Sequence, residues 1–238
     1  MRIIFNTGEA SYIDIEDQDE TYKVFDIVDL TRIRIKTLSK PGREDTYTCF
    51  LNNSVMGGLL AFRVGNYNNT AEREQFRLLC EMLNSHYKDS EEFCVFVGNY
   101  NIGCEIDALL IKKDAIIVIE FKNYGGHIIA NENGEWTSDG KIIRGGSRKT
   151  VLQQALINHV TVKRELKALG VERKHIKHVP TIVVFHQPIE LKNNLSITNK
   201  SWLHITDNIH FLDKVDDITC PKTDFDVLGI INIAELLN

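Results

Sequence analysis

The sequence predicts an α/β protein built on a mixed central sheet. Three observations carry this: a β-hairpin over residues 104–122, an amphipathic helical pattern on either side of it, and an apolar strand at 180–185. In the hairpin, Cys104-Glu105-Ile106-Asp107-Ala108-Leu109-Leu110-Ile111 and Ala115-Ile116-Ile117-Val118-Ile119-Glu120-Phe121-Lys122 are separated only by Lys112-Lys113-Asp114. Two β-branched, apolar runs this close together read as adjacent antiparallel strands.

With 238 residues, 43% hydrophobic and 26% charged, the chain has the composition of an ordinary soluble globular protein. No run approaches the roughly 18 apolar residues of a membrane span. The start, Met1-Arg2-Ile3-Ile4-Phe5-Asn6, is too short an apolar stretch for a secretory signal. Cys49, Cys80, Cys94, Cys104 and Cys220 lack zinc-ligand spacing and lie mostly in apolar runs, so they read as reduced core residues. The expectation is a cytoplasmic protein with no membrane partner and no structural zinc.

In chain order, residues 1–65 read as a β-rich accessory region. Arg32-Ile33-Arg34-Ile35-Lys36 alternates strictly, Lys40-Pro41-Gly42-Arg43-Glu44-Asp45 turns, and Tyr47-Thr48-Cys49-Phe50-Leu51 and Leu59-Leu60-Ala61-Phe62-Arg63-Val64 follow as strands. The principal domain is expected over 66–215. After the polar break Asn66-Tyr67-Asn68-Asn69-Thr70, the spacing of Phe76, Leu79 and Leu83 predicts a helix whose buried stripe, continued back four residues, begins at Glu72. Asn69 and Glu72 also have the spacing of a capping box, which accounts for Glu72 without any chemistry. Glu92–Val97 predicts a strand leading into the hairpin, and residues 128–130, 135–137 and 142–144 predict short strands beyond it.

Leu152, Ala155, His159, Val162, Leu166 and Leu169 then recur at helical spacing up to Gly170, with Gln153 and Gln154 in the first turns. His159 on that stripe reads as a satisfied core histidine. Pro180–Phe185 reads as a strand buried in the sheet, Trp202–Ile205 as a further strand, and 216–238 as a C-terminal extension.

The hairpin holds the candidate chemistry. With the turn centred on Lys113-Asp114, Ile111 pairs with Ile116, Leu109 with Val118, and Asp107 with Glu120, so that both acids share one face and Lys122 joins them two residues on. A slip of one residue would separate the pair. Directly opposed like charges destabilise a sheet, and a divalent cation such as Mg²⁺, bound by hard oxygens, gives them a reason to exist. The alternative is a solvated strand end.

Charge is unevenly spread. Between Gly140 and Pro180 there are ten Lys and Arg against Glu165 and Glu172, a balance of +8 that leaves −13 on the remainder of a chain whose net charge is −5. A basic block in an acidic protein is either a phosphate-binding face or a solvated helix.

Taken together, Ala71-Glu72, Glu105-Ile106-Asp107, Ile119-Glu120-Phe121-Lys122-Asn123-Tyr124, Trp136 and Leu152-Gln153-Gln154-Ala155 resemble the NERD (nuclease-related) domain, of the PD-(D/E)xK restriction-endonuclease-like nucleases, over roughly residues 69–210. The chain departs from the family pattern at Ala71, where a glycine is usual, and at Thr150-Val151, where Asn-Pro is usual. The resemblance implies a restriction-endonuclease-like core of helix, three-strand antiparallel meander, helix and strand, with the N-terminal β-rich extension outside it. It implies an enzyme, a Mg²⁺-dependent nuclease with Mn²⁺ as substitute, whose metal ligands would be Asp107, Glu120 and the main-chain carbonyl of Phe121, with Glu72 a further candidate. Lys122 would assist the attacking water and Gln154 would position water or substrate. Lys141, Arg144, Arg148, Lys149 and Lys163 are the candidate nucleic-acid contacts. DNA is the favoured partner, cut with little intrinsic sequence preference, and a second copy or a partner protein is expected to help cut both strands. The alternatives are an RNA substrate, or a non-cleaving nucleic-acid-binding or scaffolding subunit on the same fold.

Overall fold

A computed structural model describes residues 4–6, 23–29, 32–39, 43–50, 58–63, Tyr67 and 69–234 apart from 88–89, 91, 147–148, 227–228 and 231–232. Helix α1 (Thr70–Tyr87) begins where Asn69 Oδ1 accepts the Ala71 N–H at 2.9 Å, satisfying one of the amides that a helix start leaves unpaired. Phe76, Leu79 and Leu83 are buried, as the periodicity predicts, while Glu74 is exposed. Strands β6 (Phe93–Asn101), β7 (Glu105–Lys112) and β8 (Ala115–Lys122) follow as an antiparallel meander. Helix α2 (Val151–Ala168) comes next, and β12 (Thr181–Phe185) then runs parallel to β8. The expected order of helix, three strands, helix and strand is present.

The main sheet has the order β1-β5-β6-β7-β8-β12-β14, with β1 (Ile4–Asn6), β5 (Gly58–Arg63) and β14 (Leu203–Asp207) completing it. Because β5 runs parallel to β6 and β1 pairs with β5, the sheet reaches back across the expected boundary at residue 65. Strands β2 (Lys23–Asp29), β3 (Arg32–Ser39) and β4 (Arg43–Phe50) pair separately as an antiparallel meander. Phe225, Ile230, Ile233 and Ala234 are buried in the core, so the expected C-terminal extension contributes to it.

Period-two alternation divides the hairpin between two layers. Leu109, Ile111, Ile116 and Val118 pack with Val162 and Leu166 of α2. Leu110, Ile117, Ile119 and Phe121 pack with α1 and with Phe211 and Val215 of α5 (Phe211–Asp217). Helix α2 is held at its start by a reciprocal Thr150–Gln153 capping box. At its end, Gly170 (φ 86°) donates to Lys167 O and Val171 to Leu166 O, a Schellman stop that favours glycine at the left-handed position.

A second sheet, β11-β10-β9-β13, is built from β9 (Gly126–Asn131), β10 (Trp136–Ser138), β11 (Lys141–Ile143) and β13 (Ile189–Asn194). Its first three strands match the expected ones. Strand β13 was not expected, because Ile189-Glu190-Leu191-Lys192-Asn193-Asn194 is a short, mostly polar edge whose pairing with β9 is non-local. Cys94, Cys104 and Cys220 are free thiols, and among the described residues no helix is long and apolar enough to cross a membrane.

Candidate active site

The hairpin turn is the two-residue Lys113-Asp114, and β7 pairs with β8 in the register Leu109–Val118 and Ile111–Ile116. The backbone ladder ends at Ala108–Ile119, and the same count sets Asp107 opposite Glu120. There the Phe121 N–H donates to Asp107 Oδ2 at 2.7 Å. Glu120 is only 4% exposed and uses both oxygens: Oε1 accepts from Lys122 Nζ at 2.7 Å, and Oε2 from Asn158 Nδ2 at 2.7 Å. Lys122 Nζ also donates to Phe121 O at 3.0 Å. One turn before Asn158 on α2, Gln154 Nε2 donates to Asn158 Oδ1 at 2.9 Å. A continuous chain of hydrogen bonds therefore runs from Gln154 through Asn158 and Glu120 to Lys122 and the Phe121 carbonyl.

Two carboxylates share this pocket with one ammonium. Burial, reinforced by Glu120, raises the Asp107 carboxyl well above the ordinary carboxylate range, against the opposing pull of Lys122 and the Phe121 N–H. Burial alone would lower Lys122, yet Glu120, Asp107 and Glu72 hold its ammonium above the usual value. Glu72 is half-buried, and burial followed by the charge of Glu105 raises its carboxyl. Its Oε1 accepts from Asn69 Nδ2 at 3.3 Å, a side-chain contact to the residue that caps the helix rather than the main-chain bond of a capping box. Helix α1 lies on the opposite face from α2, and Glu72 meets the cluster through charge rather than through a hydrogen bond to Asp107, Glu120 or Lys122.

Two contributors were missed in the sequence. Asn158, fully buried, replaces an apolar residue in the stripe Val151-Ala155-Asn158-Val162, and that substitution was the available signal. Tyr67 came from what read as a polar break. Its hydroxyl donates to Asp107 O at 2.5 Å and accepts the Asn99 N–H at 3.1 Å. Pairing between β6 and β7 is continuous at Gly98–Ala108 and Tyr100–Ile106 but opens between Asn99 (φ 44°) and Asp107, where the hydroxyl sits. The Tyr67 ring packs 5.7 Å from Phe76 and 6.2 Å from Phe121, centre to centre.

The basic candidates divide. Lys141 and Arg144 are exposed, and Lys149 is half-exposed just before α2. Gly145 and Gly146 pass so close to Gln154 that an added Cβ would come within 3.0 and 3.3 Å of it, which sets Arg144 and Lys149 beside that end of the helix. Arg148 lies outside the described residues. Lys163 is nine residues beyond Gln154, about 13.5 Å along the helix axis, and donates to Lys177 O at 3.1 Å. His159 is half-buried rather than in the core, one position round from the face of Ala155, Asn158 and Val162, and a hydrogen bond to the Val179 main chain raises its pKa against the effect of burial. Trp136 is fully buried and donates to Asn131 O at 3.1 Å, a structural role. Among the described residues, no three His, Cys, Asp or Glu side chains stand close enough together to hold a metal by themselves.

An acid pair, one member buried and one half-buried, with a lysine two residues on, held on the middle strands of a mixed sheet between helices, is compatible with a nuclease-like α/β core. Residues 69–186 match the family model of the nuclease-related domain, NERD. The chain is thus a NERD-domain protein, with a nuclease-related function. No curated protein and no solved structure matches the chain.

Proposed function

We propose that the protein is a Mg²⁺-dependent nuclease, with Mn²⁺ able to substitute, that hydrolyses phosphodiester bonds in DNA with little sequence preference of its own. The observation that carries this reading is the convergence of Glu120 Oε1 and Phe121 O on the Lys122 ammonium, at 2.7 and 3.0 Å, with Asp107 opposite. These oxygens already gather around positive charge. Two carboxylates, Glu120 buried and Asp107 half-buried, against one ammonium leave an excess of negative charge, the condition a divalent cation relieves. Asp107, Glu120 and the Phe121 carbonyl fit it as ligands, and Glu72 stands near enough to feel their charge. When bound, the ion would supply Lewis-acid activation of water and offset charge at the phosphate.

The protein's own groups do the rest. Asn158 fixes the rotamer of Glu120, and Tyr67 fixes the main chain at Asp107. Lys122, kept charged by its neighbours, orients the attacking water and balances phosphate charge. Gln154 positions substrate beside Arg144 and Lys149, which meet the strand backbone.

The test is supercoiled plasmid incubated with Mg²⁺ and the wild type, Asp107→Ala or Glu120→Gln. Nicked and linear products are expected from the wild type, with a loss of at least roughly a hundredfold in either variant. Indistinguishable cutting by wild type and Asp107→Ala refutes the assignment. A matched RNA substrate decides between nucleic acids, and calorimetric Mg²⁺ binding without cleavage would instead favour a non-cleaving subunit.

A further inference from the structure

Away from the acidic cluster, a cavity of about 540 Å³ lies between α2, α5 and the starts of β12 and β14. Lys163, Lys177, Lys214, His159, His204 and Trp202 line it. Lys122 pairs with Phe185 at the end of β12, whereas the cavity touches Pro180, just before Thr181 at its beginning. Four strand steps, about 13 Å, separate the two.

The charges here are incompletely matched. Lys214 Nζ has a carboxylate, Asp217 Oδ2 at 2.9 Å. Lys163 and Lys177 have none among the described residues, and Lys163 turns to the Lys177 carbonyl instead. The histidines register the resulting positive field. Burial, then Lys163, holds His159 down at about 4, and burial, then Lys214, lowers His204. The His159 and Trp202 rings, 4.6 Å apart, form an aromatic wall that the Trp202 Nε1 bond to Asn199 Oδ1 holds in place.

We infer that this cavity binds a nucleoside phosphate, its phosphate on Lys163 and Lys177 and its base against the Trp202–His159 wall. The volume suits such a ligand, since small-molecule sites span roughly 300–1,000 Å³. Base–aromatic stacking and ammonium–phosphate contacts together give both halves of the ligand a partner. The source is either a free mononucleotide or the phosphorylated end of a strand. The inference goes beyond the nuclease reading and does not depend on it.

Tryptophan fluorescence of the full chain tests it, without divalent cation so that nothing is cut. Trp136 is fully buried, so a titration reports on Trp202. The probes are AMP, dAMP, a 5′-phosphorylated single-stranded oligonucleotide and inorganic phosphate. Saturable quenching by a mononucleotide is expected if the ligand is free, and quenching by the oligonucleotide alone assigns a strand end; either supports the site. Lys177→Gln, on an exposed side chain, weakens binding roughly tenfold, while Lys192→Gln on β13 leaves it unchanged. Binding raises the His159 pKa, read by NMR. The inference is overturned by no saturable response up to about 10 mM in fluorescence and calorimetry, by equal affinity for inorganic phosphate, or by wild-type affinity in Lys177→Gln.

Discussion

Replacing Asn158 with leucine keeps the branched shape of the side chain and removes two hydrogen bonds, one to Glu120 and one from Gln154, which makes it, set against Gln154→Leu, the sharpest probe of the acid pair. Asn158 is fully buried, and its Nδ2 reaches Glu120 Oε2 at 2.7 Å. A hydrogen bond to a charged acceptor contributes roughly 1.5–3 kcal/mol, and here water has no path to replace it, so a loss of about 2–3 kcal/mol is expected. For a chain of this size that corresponds to a fall in Tm of about 4–12 °C. Glu120 then keeps only Lys122 as a partner and loses its fixed rotamer. Removing a partner that orients a metal-binding carboxylate typically lowers affinity or activity about 10–100-fold, so the Mg²⁺ midpoint of plasmid nicking rises accordingly. Gln154→Leu is the matched control. It takes a neutral, part-buried bond from Asn158 and leaves the bond to Glu120, so its thermal effect stays within roughly 0.5–1.5 kcal/mol. Thermal melting and metal-dependent nicking read the two consequences separately. An Asn158→Leu protein that melts within a degree or two of wild type and cuts at its rate would refute the reasoning, and the melting arm stands even if no cutting is seen.

Tyr67→Phe keeps the ring against Phe76 and Phe121 and deletes the hydroxyl between Asp107 O and Asn99 N. It should lower stability by about 1–2 kcal/mol in urea unfolding and raise the Mg²⁺ requirement, and a wild-type metal dependence would deny Tyr67 its positioning role. Asp107→Asn keeps an acceptor for the Phe121 N–H but removes the half-buried member of the acid pair. It should cut nothing, yet melt no lower than wild type without divalent cation, and only the wild type should gain stability on adding Mg²⁺. His159 sets a pH dependence. Its folded pKa of about 4 lies below the unfolded value near 6.5, so the unfolded chain takes up more protons between them, and stability falls as pH drops through that window. After discounting for partial exposure, His159 accounts for on the order of 1–2 kcal/mol of that loss, and urea midpoints at pH 7 and pH 5 should converge in His159→Gln.

What was legible in the sequence was local and periodic. The hairpin register followed from period two and a two-residue turn, and the α1 stripe from Phe76, Leu79 and Leu83. Glu72 showed as both cap and candidate because its two roles share one spacing. Asn158 was lost because hydrophobic periodicity scores a buried amide as an interruption. Tyr67 could not be read at all: its partners lie 32 and 40 residues away, and no local pattern encodes them. The parallel pairing of β5 with β6 is hidden for the same reason. The +8 block showed where positive charge lies along the chain but not where it points, and Lys163 turns to Lys177 and a cavity beyond the acid pair.

The two ends of α2 meet opposite imbalances. Near its start, Glu120 and Asp107 outnumber the single ammonium of Lys122; further along, Lys163 and Lys177 face a cavity with no carboxylate of their own among the described residues. The acid pair does not serve stability, since an apolar pair of similar volume often holds such a position as well without desolvating like charges. Had the acids been structural, Lys122 would suffice with one of them, and the second would be expected to be an amide. Retaining the second charge while spending Asn158, Tyr67 and the Phe121 N–H on holding the pair in place makes sense where a cation completes it. The lysines face solvent with no carboxylate partner among the described residues and so are open to an anion, and the proposed nuclease activity would give the protein reason to carry both kinds of site beside one helix.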